Sequence, residues 1–104
     1  MDNFKVIYKI LMSLEKSMDC ECFDLDRIRP DVLGVSLERR NRYLEMLSDA
    51  GYVKGVQIKQ YADGETQILP NNIQITLKGL EYLAENSIMQ RMYQAAKGIK
   101  ELIP

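Results

Sequence analysis

The feature that most constrains this chain is a change of apolar period. Up to about residue 50 the hydrophobic residues recur at three- and four-residue steps, which is helical spacing. At Val56-Gln57-Ile58-Lys59 the period drops to two, which is strand spacing with one wet face. From Thr76 it returns to helical spacing. Only folds that insert a short β excursion between helices accept such a pattern.

The helical stretches are punctuated by caps. Residues 3–18 carry Phe4, Ile7, Tyr8, Leu11, Leu14 and Met18 on one face, with Val6 and Ile10 as a second ridge and Asp2 or Asn3 as a cap. Lys5, Lys9, Ser13 and Lys16 form the opposite stripe. After a polar break holding Cys20 and Cys22, Asp24 caps a short helix that turns Leu25 and Ile28 inward and ends near Pro30. Ser36 is the N-cap of a third helix over roughly 37–50, with Leu37, Leu44 and Leu47 on its core side. Tyr43 and Met46 lie outside that stripe and are expected to be partly exposed, and Gly51 is a left-handed stop.

Asp63-Gly64 is a type I′ hairpin signal, with Thr66–Leu69 returning, Pro70-Asn71-Asn72 interrupting, and Ile73 and Ile75 resuming the alternation. Val56, Ile58, Ile73 and Ile75 should share the inward face. Thr76 caps a helix with Leu77, Leu80 and Leu83 that ends near Asn86, and Ser87 with Gln90 opens a last helix. The order predicted is helix, helix, helix, hairpin, helix, helix. It describes a mostly helical α+β chain, a winged helix-turn-helix with a β-hairpin wing and an extra C-terminal helix. Residues 1–104 read as one such domain, with a core over 1–86 and the added helix over 87–104.

Two runs make the resemblance specific. Leu47 with Ala50-Gly51-Tyr52-Val53-Lys54-Gly55-Val56 resembles a recognition helix entering a first wing strand. Ile75-Thr76-Leu77-Lys78-Gly79-Leu80-Glu81-Tyr82-Leu83 resembles a wing exit and post-wing helix. With Glu85-Asn86, Tyr93 and Ile99-Lys100-Glu101, the chain resembles the YjcQ family, small winged-helix-like proteins of Gram-positive bacteria and their phages. The similarity covers residues 44–102 well and the N-terminal part in helix order, while the Cys20-to-Pro30 segment is longer than the expected connection. The resemblance implies the fold and carries over no biochemistry.

Charge and composition narrow the function. The net charge is −1, yet residues 27–60 hold a local balance of +3. That permits double-stranded DNA as a partner without the large excess typical of strong phosphate neutralisation. Arg39, Arg40 and Arg42 near the start of the third helix are the candidate base and phosphate contacts, with Lys59 on the wing. Arg39 is expected to be the freest, Arg40 to lean toward the core, and Arg42 to face Glu38 and Glu45 in intrahelical pairs. Lys54, Gln57, Gln60 and Tyr61 also lie on the wing, with Asp63 and Glu65 opposing phosphate at its tip.

The chain has no His, the commonest acid–base group, and no triad or Gly-rich phosphate loop. Cys20 and Cys22 lack the further ligands that structural zinc needs and read as reduced thiols; Asp24 and Asp26 read as structural. The expectation is therefore a DNA-binding regulator of bacterial or phage origin, not an enzyme, without cofactor or metal. The alternative is a winged-helix protein-interaction module that does not touch DNA. No apolar run reaches the length of a membrane span and no signal peptide is visible, so a cytoplasmic location is expected. The stripe Ile88, Met92, Ala95, Ile99 and Ile103 is expected to pack first on its own domain and to offer its outer edge to a homodimer.

Overall fold

Apolar residues on one side and lysines on the other produce α1, Asn3–Lys16, in the computed structural model, which describes residues 3–21, 23–64, 66–69 and 73–86. Asp2, Cys22, Glu65, the Pro70–Asn72 interruption and the helix expected from Ser87 lie outside the described residues, as does the side chain of Ile58. The buried face of α1 is Val6, Tyr8, Ile10, Leu11 and Leu14. It is wider than the expected stripe and shorter at its ends: Phe4 and Met18 are 59% and 57% exposed, while Val6 and Ile10 of the second ridge are buried together with Tyr8, Leu11 and Leu14. The reason is that α1 meets a 3₁₀ turn, the last wing strand and the post-wing helix together. Both ridges are covered, and the two ends of the predicted stripe overhang.

Asp24 caps the 3₁₀ turn Leu25–Ile28, its carboxylate accepting the Asp26 N–H at 3.0 Å. Ile28 is fully buried and Leu25 packs against the core. Arg29 is extended (φ −63°, ψ 151°), as a residue before proline must be. Pro30 does not simply end the helix, however. It starts a one-turn helix, α2, Pro30–Leu33, because its fixed φ suits a first helical position and its missing N–H is not needed there. The single short helix expected here is thus two pieces.

The third helix, α3, spans Leu37–Asp49, and Ser36 Oγ accepts the Arg39 N–H at 3.1 Å. Leu44 and Leu47 are buried as expected. Leu37 is not: it is 52% exposed, because the first turn of α3 overhangs its neighbours. Tyr43 is also reversed. It is 2% exposed, its phenol reaching the start of α1, where its hydroxyl donates to Asn3 Oδ1 at 2.5 Å. Met46 remains half exposed.

The wing is an antiparallel excursion in two paired segments. β1, Val53–Lys54, pairs with β4, Gln74–Ile75, in the register Val53↔Ile75. β2, Gln57–Gln60, pairs with β3, Thr66–Leu69, in the register Ile58↔Ile68. Gly55 separates the segments at φ 82°, a left-handed value costly to any residue with a Cβ. The kink resets the parity of the strand. Val53 is buried and Val56 half-buried on the core although they stand three positions apart, and Ile73 and Ile75 are buried too.

The turn differs from the type I′ expectation. Residues 61–65 connect the paired Gln60 and Thr66, and Gly64 N–H donates to the Tyr61 carbonyl at 3.0 Å. Among the described residues only glycines have positive φ, so Asp63 cannot occupy the left-handed position that a type I′ turn requires. The connection is longer, with Gly64 at φ 91°.

Thr76 caps α4, Leu77–Glu85, accepting the Gly79 N–H at 3.1 Å. Leu83 is buried and Leu80 packs on the core, whereas Leu77, again in a first turn, is 72% exposed. Asn86 closes the helix as expected, its N–H and side-chain amide both donating to the Tyr82 carbonyl. Three α-helices with a 3₁₀ turn between the first two, a hairpin and a returning helix make this a winged helix-turn-helix, α+β and mostly helical.

Candidate nucleic-acid interface

In this arrangement the outward face of α3 and the wing are the surfaces a duplex would meet. The structure divides the three arginines of α3 by task. Arg40 is buried, 8% exposed, and its guanidinium donates to the Ile28 carbonyl (3.3 Å) and to Asn41 Oδ1 (2.9 Å). Burial pulls its pKa below the ordinary arginine value, yet a guanidinium stays charged at neutral pH. Arg40 therefore joins α3 to the 3₁₀ turn and is not brought to the surface that Arg39 and Arg42 share.

Arg39 is exposed but is not the freest of the three. Its Nε donates to Tyr43 Oη at 3.1 Å and its Nη2 to Asn3 Oδ1 at 3.0 Å, with the guanidinium 6.0 Å from the Tyr43 ring centre. Asn3 thus accepts from both Arg39 and Tyr43 and fixes the N-terminus of α1 against α3. Nothing in the local pattern pointed to this, since Asn3 lies 36 residues away in sequence. Arg42 is the free one. Among the described residues it has no ion pair, and the expected pairing with Glu38 and Glu45 is not formed.

The wing adds Lys54 and Lys59, both exposed, and Lys59 Nζ stands 5.4 Å from the centre of the Tyr61 ring. Lys78, which sequence reasoning passed over, lies over the Tyr52 ring at 5.3 Å, beside the end of α3. Against these cations, α3 exposes Glu38, Glu45 and Asp49. The face is a charge mosaic, not one continuous positive patch. Between α1 and α3 it also holds an apolar groove of about 600 Å³, lined by Phe4, Ile7, Tyr43 and Met46 and rimmed by Arg39 and Arg42.

The family model described as YjcQ protein matches residues 8–102, which extends the likeness through the N-terminal helices. The chain belongs to the YjcQ family. No curated protein matches this YjcQ-family chain. Among solved structures it is similar to Sso10a-2, a DNA-binding protein from Sulfolobus solfataricus, with 20% identity and a TM-score of 0.49 over 100% of this chain and 98% of that one. Among the described residues no three His, Cys, Asp or Glu side chains gather where they could hold a metal. None of the described helices of this YjcQ member is long and apolar enough to cross a membrane.

Proposed function

We propose that the chain is a small cytoplasmic regulator that binds double-stranded DNA, with α3 in the major groove and the wing along the backbone. The observation that carries this reading is Arg42. It stands exposed on the outward face of α3 with no carboxylate partner among the described residues, while Glu38 and Glu45 are within helical reach. A free guanidinium there suits the bidentate edge of a guanine or a phosphate. Arg39, held by Asn3 and Tyr43, presents its remaining donors at a fixed position, and Lys54 and Lys59 supply backbone charge. Arg40 supports α3 from beneath. Catalysis and cofactors have no part in this reading.

The test is duplex binding at two salt concentrations. The affinity should fall with a slope of about −0.9 per phosphate contacted, and so few cations should yield a shallow slope. Arg42→Ala should weaken binding more than Arg39→Ala, because Arg39 already spends two donors within the protein. A folded protein showing no duplex binding at about 50 mM salt rejects the reading.

The second reading, a protein-interaction module, is favoured by the charge mosaic on α3, where Glu38, Glu45 and Asp49 stand among the arginines, and by the exposed Phe4 and Met46 that line the groove. Under it, DNA binding is absent and the same face takes an apolar partner segment. In either case we propose that residues 87–104 add a helix whose apolar stripe supports a homodimer. Light scattering on Met92→Lys and Ile99→Lys tests this: a folded monomer replacing a dimer supports it, and a wild type that stays monomeric at high concentration defeats it.

A further inference from the structure

The function proposed above uses the α3 and wing face, but a second group of exposed cations lies elsewhere. Lys5, Lys9 and Lys16 fall within about 40° of one another around the α1 axis at 100° per residue, directly opposite its buried face. The 3₁₀ turn brings Arg27 to this stripe. Lys9, Lys16 and Arg27 line one recess of about 270 Å³ between α1 and α2, together with Ser13, Met12 and Val32. No Asp or Glu lines it. All four cations are exposed, and among the described residues none has an ion pair or a side-chain hydrogen bond. A helix dipole favours Lys16 in the last turn of α1, but it does not account for Lys9 in the middle or for Arg27 on another element.

We propose that this recess is a phosphate-binding site, separate from the α3 and wing face. A concave wall of low polarizability concentrates the field of three cations that point into it. Arg27 can take two oxygens of one phosphate in its fork, and the lysines add mobile point charges. Met12 and the exposed Val32 supply an apolar rim that suits the organic part of a phosphorylated small molecule, while the outlying Lys5 continues the charge along α1. The phosphate is carried either by a free ligand or by the backbone of a nucleic acid, and the two differ in what accompanies it.

Amide shifts of the isotopically labelled full chain distinguish them. One titration uses inorganic pyrophosphate and the other a short duplex DNA. The expected result is a saturable shift centred on residues 9–16 and 27–33 in at least one titration, weakened roughly tenfold or more in Lys9→Gln/Arg27→Gln, since each charged hydrogen bond lost is a large fraction of such an affinity. Both substituted residues are exposed, so the variant keeps its core. Shifts with pyrophosphate assign a free ligand. Shifts with DNA alone, surviving in Arg42→Ala, assign a backbone phosphate at this second face. Silence in both titrations, or shifts unchanged in Lys9→Gln/Arg27→Gln, overturns the site. Loss of duplex binding in Arg42→Ala with the pyrophosphate shifts intact concerns only the function proposed for α3.

Discussion

At the scale of single residues, two side-chain positions carry more of the fold than their type suggests. Arg40 lies among basic residues in sequence, yet its head is spent on the Ile28 carbonyl and on Asn41. Arg40→Ala removes that donor and the packed stem together, leaving a buried carbonyl short of a partner. The expected loss is about 1–3 kcal/mol in chemical denaturation. Arg40→Met keeps the stem and should lose less. Neither should alter duplex binding once corrected for the folded fraction. Gly79 is the second case, because α4 packs directly on the wing exit. A Cβ there would meet the Tyr52 carbonyl and come within 2.6 Å of Ile75 Cγ1. Gly79→Ala gains about 1 kcal/mol of helix propensity but forces backbone against backbone, so we expect net destabilisation of about 1–2 kcal/mol. A thermal melt that rises for Gly79→Ala contradicts this packing.

At the scale of elements, the two Ser/Thr caps are not equivalent. Ser36 satisfies one N–H at the start of α3, and Ser36→Ala should cost about 1 kcal/mol. Thr76 caps α4 and also donates to the Gly51 carbonyl at 2.6 Å, so it holds the end of α3 as well. Thr76→Val keeps the shape, loses both bonds, and should cost more than Ser36→Ala, about 2 kcal/mol in the same denaturation series. These caps were legible in the sequence because a cap is a local event of three or four residues. The helices, the strand period and the post-wing start were legible for the same reason. What escaped was decided between elements: that the ends of the α1 stripe stay uncovered, that Tyr43 reaches Asn3, that Arg39 is tied and Arg42 is not. First-turn leucines 37 and 77 obey the period and still face water, since periodicity reports direction around an axis and not whether a neighbour extends that far. The turn is longer than the two residues expected because Asp-Gly signals a reversal without fixing how many residues it contains.

At the scale of the whole molecule, α3 and the wing lie on one side and the lysine stripe of α1 lies away from the core on another, so charge variants at each should act independently. Combining Arg42→Ala with Lys9→Gln/Arg27→Gln should give additive free-energy changes in duplex binding, within about 0.5 kcal/mol, as expected for distant sites. A large coupling would mean that the two sites are not independent. The base of the wing has a different implication. Thr76 N–H donates to the Tyr52 carbonyl at 3.1 Å, Thr76 Oγ1 holds Gly51, and Val53 faces Ile75 across β1 and β4. The chain therefore leaves the helical body and returns to it through one clasped gate, and what happens beyond the gate is a closed excursion. Lengthening such an excursion costs only about 0.6 kcal/mol per doubling. Foreign sequence spliced between Asp63 and Gly64 should leave the melting of the helical body nearly unchanged, which makes the tip a natural port for grafting a reporter or a new binding loop.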